Sequence, residues 1–327
     1  MEVTINGVDM SRLMQFLVGI LVVLSSCSTA PTAANRTVVV SFSVLGDIVE
    51  NVVGDAASVK TFVGPDSDAH AYEPTPQDAV ALEQATAVVT IGLGFEPWLD
   101  EIYAASGSKS PVIVSSAALK PIKVDPSAAG HADEEGHAEE EEAHAGEAEE
   151  LDPHVWHDAQ NVITMVETIR DGLIAAMPDQ AQTFRANSTR YIAELQQLDA
   201  DIVTMVDSIP VERRKLVTNH DTFGYFAQRY GFVVVGTVLG VSTEGNDPSA
   251  TEIVALTAAI RESAVPTIFI ENMSNSSLID NVAAEAGVTI APALYTDALG
   301  STDSDGSTYL NMMRYNVTTM KTALQGK

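Results

Sequence analysis

Cysteine is close to absent. Cys27 is the single one in the chain, so no internal disulfide can form and the fold must be held by its core. Basic residues are scarce too: 17 Lys and Arg stand against 45 Asp and Glu, a formal net charge of −28. Such a balance has no basic patch to neutralise phosphates, which excludes nucleic acid as a natural partner and disfavours anionic membrane surfaces and acidic substrates. Cations are what it would attract. Long apolar stretches are missing except at residues 13–24, where only Gln15 and Gly19 interrupt the run. That run is shorter than the roughly 20 residues a bilayer-spanning helix needs. There is no His-Glu-x-x-His motif, no Cys or Ser nucleophile constellation and no Gly-rich phosphate loop, so hydrolytic and phosphoryl-transfer chemistry lack their usual parts.

What the apolar run does fit is the core of a signal peptide. It leads into Leu24-Ser25-Ser26-Cys27, and small residues before a lone cysteine at that place resemble the bacterial lipoprotein cleavage box. The expectation is a signal peptide over residues 1–26, a lipid on Cys27, and a flexible Ser-, Thr- and Ala-rich tether over 27–36. The protein would then be exported and anchored on the extracytoplasmic face of the membrane. The remainder is long enough for two α/β lobes with cores of their own.

Short β-branched runs at 37–43, 59–63, 87–91, 112–114, 216–218, 233–238, 267–270 and 288–291 read as strands. Helical patterns fall between most of them, at 44–53, 76–85, 97–105, 223–230, 251–263 and 278–286. This alternation predicts parallel-type sheets flanked by helices, with ligands at the carboxyl ends of strands. One segment breaks the rhythm. From 179 to 208 there is no Gly or Pro, and Phe184, Tyr191, Leu195, Leu198, Ile202, Met205 and Val206 recur at steps of three, four and seven. It predicts one long helix over 179–209 joining an N-terminal lobe, 37–178, to a C-terminal lobe, 210–327. A metal site in the cleft between the lobes follows from where the histidines lie.

All seven histidines fall in four short places. His70 follows the strand at 59–63, His154 and His157 lie in Asp152-Pro-His-Val-Trp-His-Asp158, His220 directly follows the strand at 216–218, and the other three sit in an acidic tract. Neutral imidazole is the commonest side-chain ligand for zinc, and three imidazoles with Asp297, past the strand at 288–291, would make a four-ligand set for tetrahedral Zn²⁺. Mn²⁺, which prefers more oxygens and a higher coordination number, is the alternative. Glu73, Asp158 and Asp221 are candidates to accept the other ring N–H of a ligating histidine, although Asp158 could equally cap the helix after it. A fourth protein ligand would fill the position that a catalytic zinc keeps open, so an enzyme is not expected. The low-complexity stretch 125–151, with His131, His137 and His144 among carboxylates, has too little apolar content to fold alone and reads as a disordered, weak, multi-site chelator.

Four segments carry a family resemblance: Asp68-Ala-His70-Ala-Tyr-Glu-Pro74, Asp152-Pro-His154-Val-Trp156, Asn219-His220-Asp-Thr-Phe-Gly-Tyr225-Phe226 and Tyr295-Thr-Asp297. In order and spread they resemble the signature segments of the zinc and manganese solute-binding lipoproteins of bacterial ABC importers. The acidic His tract resembles the loop of the zinc-uptake members. The resemblance implies two lobes on a backbone helix, metal held by His70, His154, His220 and Asp297, and delivery by a monomer to a membrane permease. Members taken as manganese-specific typically carry Glu where this chain has His220. A surface adhesin or metal buffer without a transporter is the competing reading. His157 stands where many members have an apolar residue; it reads as a surface histidine of the following helix rather than a transfer site.

Overall fold

In a computed structural model of the chain, residues 36–124, 150–240, 243, 248–273 and 277–325 are described. The leader, Cys27 with nearly all of the tether, and His131, His137 and His144 lie outside them. Among the described residues no helix is long and apolar enough to cross a membrane.

The N-terminal half is a four-stranded parallel sheet in the order β2-β1-β3-β4, built from β1 (Thr37–Phe42), β2 (Ser58–Val63), β3 (Ala87–Thr90) and β4 (Val112–Val114). Val38, Val39, Val40 and Phe42 of β1 have no exposed surface. A strand with both faces covered reads as a continuous β-branched run, which is what the sequence has here. Helix α1 (Ser43–Val53) starts without a loop, and Val44, Leu45, Ile48, Val49, Val52 and Val53 line its buried face. Helix α2 (Pro76–Gln84) opens on a capping box between Thr75 and Asp78, and α3 (Pro97–Ser106) has Pro at its first position; both are strong start signals.

The C-terminal half repeats this plan in shorter strands. Two parallel pairs, β5 (Lys215–Thr218) with β6 (Val233–Thr237) and β7 (Thr267–Ile268) with β8 (Thr289–Ile290), are joined where Phe269 N–H donates to the Val217 carbonyl at 2.9 Å. That bond sets β5 beside β7, so the strands lie in the order β6-β5-β7-β8, like β2-β1-β3-β4, although the two pairs remain separate sheets and no sequence repeat is evident. Helices α6 (Gly224–Tyr230), α7 (Ala250–Ser263) and α8 (Ser277–Ala286) complete it.

Between the halves run α4 (Ala159–Ala176) and α5 (Ala181–Asp207), an antiparallel pair. Helix α5, of 27 residues, is the expected spine; it starts after a 3₁₀ turn at Pro178–Gln180 and stops before Pro210. A final helix, α9 (Tyr309–Leu324), packs against α5 and α1. The larger buried cluster thus mixes both halves: Phe226 and Tyr230 of α6 and Met312, Val317 and Met320 of α9 join the core built on α1, α4 and α5. A smaller cluster, with Val217, Ile260, Ile268 and Val282, belongs to the C-terminal half alone.

Candidate metal centre

Each half delivers two of the expected ligands, three of them past strand ends. His70 lies on the loop after β2, and His154 at the start of a 3₁₀ turn, Val155–His157, before α4. His220 follows β5 by two residues, and Asp297 lies seven residues past β8. Their ligand atoms come together: one atom from each of the four residues lies within 4.8 Å of every other. Asp297 Oδ2 is the hub, 3.0 Å from His220 Nε2, 3.2 Å from His70 Nε2 and 3.6 Å from His154 Nε2, while His70 and His154 bring their Nε2 atoms to 3.4 Å. Zinc with tetrahedral bonds of about 2.0–2.2 Å would set its ligand atoms about 3.3–3.6 Å apart. The four side chains bracket that spacing, with separations from 3.0 to 3.6 Å and none beyond 4.8 Å.

Carboxylates orient these histidines, and they are not the ones the sequence suggested. Asp152 Oδ1 accepts both the backbone N–H of His154, at 2.9 Å, and its ring Nδ1, at 2.8 Å. Glu271 accepts the His220 backbone N–H through Oε1 at 3.0 Å, and its Oε2 lies 2.7 Å from His220 Nδ1, a close approach but a bent one. With Nδ1 directed to a carboxylate, Nε2 of each ring faces the cluster. Thr296 Oγ1 also donates to Glu271 Oε2, so one buried side chain steadies the residue beside Asp297 as well as His220. Asp68 Oδ1 accepts the His70 backbone N–H at 2.9 Å.

Of the three expected helpers, Glu73 is exposed. Asp158 is the N-cap of α4, accepting from Gln160 N–H. Asp221 is half-buried, and the positions on the ligand imidazoles are taken by Asp152 and Glu271. Aspartate two residues before a histidine, present at both Asp68 and Asp152, was a visible signal for a local turn in which the carboxylate accepts the histidine N–H. Glu271, 51 residues from His220, had none.

His157 also differs from expectation. It is fully buried, not on the surface, with its ring 4.7 Å from that of Phe223 and 5.7 Å from that of Trp156, and neither ring nitrogen has a hydrogen-bond partner among the described residues. Burial pushes its pKa down to about 3, so it is neutral.

The electrostatics of the cluster run the other way. Burial alone would lower the pKa of His154, but Asp297 and Asp152 outweigh it and hold the ring at about 9. Burial likewise opposes charge on His220, yet Glu271 and Asp297 raise it well above the usual imidazole range. Asp297 sits well below the usual carboxylate range; its burial is overcome by the two facing imidazoliums. Three carboxylates around three imidazoles make a centre that demands positive charge, supplied by protons or by a cation.

The protein family described as zinc-uptake complex component A, periplasmic, matches residues 38–323. The chain belongs to this family. Among its relatives are the manganese-binding lipoprotein MntA of Halalkalibacterium halodurans, 33% identical over 297 residues, covering 90% of this chain and 91% of that one, and the zinc-binding protein TroA of Treponema pallidum, 32% identical over 293 residues and covering 88% of each. The solved structure of the periplasmic zinc-binding TroA superposes with a TM-score of 0.76 at 28% identity, covering 89% of this chain and 100% of that one. Family membership and this likeness agree with the expected architecture of two α/β halves on a long helix.

Proposed function

We propose that this protein captures Zn²⁺ outside the cytoplasm through His70, His154, His220 and Asp297 and gives it up to the membrane permease of an ABC-type importer. The observation that carries the reading is the buried convergence of three imidazoles and one carboxylate, with donor atoms all within 4.8 Å of one another, close enough for one four-coordinate zinc ion to draw them together. Three nitrogen donors favour zinc over manganese, and the general affinity order points the same way. Manganese is the second reading, supported by the manganese-binding relative. Four protein donors leave no open position for a reacting water, which supports binding rather than catalysis.

Around that site the remaining expectations stand as parts of the same proposal: a lipid on Cys27 tethering a monomer to the membrane, lobes over 37–178 and 210–327 that present the cleft, and an acidic tract whose His131, His137 and His144 hold metal weakly. Metal analysis of protein purified without added metal, followed by zinc and manganese competition, tests the reading. Zinc should displace manganese at equal concentration. His220→Ala should weaken zinc binding far more than His157→Ala; comparable losses from both would overturn the placement of His157 outside the metal shell.

A further inference from the structure

The walls of the centre are not equally secure. His154, His220 and Asp297 have no exposed surface, whereas His70 retains 6%. The segment of His154 is bolted into the C-terminal half by hydrogen bonds from buried rings. Tyr225 Oη donates to the Asp152 carbonyl at 2.8 Å, Trp156 Nε1 to the Thr296 carbonyl at 3.1 Å, and Tyr309 Oη to the Trp156 carbonyl at 2.7 Å. The loop of His70 has one such bond, from Trp98 Nε1 to the Ala69 carbonyl at 2.9 Å, but its outer part before Asp68 is fastened differently. Pro65, Asp66 and Ser67 are exposed, and the loop is tied across the cleft through Asp66. The Asp66 N–H donates to the Leu299 carbonyl at 2.8 Å, its Oδ1 accepts from Asn272 Nδ2 at 2.8 Å, and its Oδ2 accepts from Ser301 N–H at 3.1 Å. Two residues on, Asp68 grips the backbone N–H of His70. Asp66 has a φ of 52°, a left-handed conformation that few side chains adopt and Asp tolerates. Hydrogen bonds of this kind compete with water and open more readily than buried ones.

We propose that Asp66 is a positioning residue for His70: by clasping the His70 loop to the Asn272 and Leu299–Ser301 segments it sets the rate at which bound metal leaves, and the metal leaves past His70. This rests on the metal-binding reading of the site. Opening the Asp66 clasp leaves His70 held by Asp68 and by the Trp98–Ala69 bond alone, while His154, His220 and Asp297, with no exposed surface, keep their own anchors. A partner that competes for Asn272 or the Ser301 N–H would therefore unload the site without touching a ligand.

The test uses the zinc-loaded full chain with excess chelator, following zinc release in the parent, Asp66→Gly and Asp66→Asn, with the absorption bands of the Co²⁺-substituted forms as a check on the ligand set. Glycine adopts a positive φ without strain, so Asp66→Gly removes the carboxylate and leaves the backbone conformation accessible. Release should quicken roughly tenfold in Asp66→Gly, the factor expected for losing about two such hydrogen bonds. It should quicken less in Asp66→Asn, which keeps one acceptor oxygen, and the Co²⁺ bands should match the parent. Release at the parental rate in Asp66→Gly overturns the proposal. So do altered Co²⁺ bands, because Asp66 would then shape the ligand geometry itself. His70→Ala separates the two levels: if it binds zinc as tightly as the parent, the metal-site reading fails and the clasp fails with it.

Discussion

His157 is a polar ring in an apolar setting, packed between Trp156 and Phe223 with both nitrogens unpartnered. A buried group left without a hydrogen bond costs about 1–3 kcal/mol, and leucine, of similar volume, carries no such penalty. His157→Leu should therefore raise the melting temperature of the metal-free protein by a few degrees, at roughly 2–4 °C per kcal/mol, with zinc affinity unchanged; calorimetry and a chelator titration check both parts. The clustered histidines behave oppositely toward protons. His154 is held at about 9 against an ordinary 6.5, and His220 is raised as well. A group bound more tightly to its proton in the folded state stabilises the fold fully below its unfolded pKa, and that gain is lost as pH rises through the folded value. Glu96, raised to about 7 by burial, contributes with the same sign at lower pH. The metal-free protein should thus melt at lower temperature as pH rises from 6.5 to 9. Zinc must displace those protons, so the rise in melting temperature on adding zinc should grow over the same interval. Thermal scans with and without zinc test the crossing, and a metal-free melting point that climbs with pH would contradict it.

Helix α5 does more than separate the halves. Its Asp199, nearly buried, accepts from Gln160 Nε2 of α4 at 2.9 Å and, from α6, from Arg229 Nε at 3.2 Å and Nη2 at 2.5 Å and from Tyr230 Oη at 3.0 Å. Helices α4 and α6 begin just after the His154 and His220 segments, so one carboxylate holds both ligand-bearing segments to the spine. Asp199→Ala should lose roughly 1.5–3 kcal/mol of stability, the range for hydrogen bonds to a charged group, and weaken zinc binding with it. Denaturant melts with chelator present, paired with zinc titrations, measure the two losses. Most elements were legible in the sequence for identifiable reasons. The strands of the N-terminal half are β-branched because both faces are covered, and α5 shows its stripe over seven turns without a breaker. Helix α9 was not legible: its buried Tyr309, Met312, Met313, Asn316, Val317 and Met320 are interleaved with Thr and Asn, which favour caps and turns over helix interiors. Three of the four proposed ligands could be found because each stands alone after a strand, and His154 because it stands in a histidine-rich segment just before a helix. Glu271 could not, since only the pairing of β5, β7 and β8 brings it under His220.

At the scale of the whole molecule, a four-stranded sheet and two parallel strand pairs carry a centre that demands positive charge, on a chain with a net charge of −28. The acidic insert is attached to this frame at a narrow neck. Lys123 and Leu151 form an antiparallel bridge, Val124 N–H donates to the Glu150 carbonyl at 3.0 Å and Asp152 N–H to the Ile122 carbonyl at 3.0 Å, immediately before His154. Excising residues 127–147 and closing the neck with a short Gly-containing turn should therefore leave one tight zinc site and remove several weaker equivalents in calorimetry. Loss of the tight site with the fold intact would mean the insert supplies a ligand. The same long-range architecture has a kinetic side, seen in α9. Its N-terminal Tyr309 N–H bonds Asp47, 262 residues earlier, and its apolar face fills the groove between α1 and α5. Contacts so far apart in the chain form late and slowly. A polypeptide delivered from its N-terminus cannot complete its main core until those last turns arrive, so its final packing waits for the end of its synthesis and, if it is threaded through a membrane, for the end of its passage.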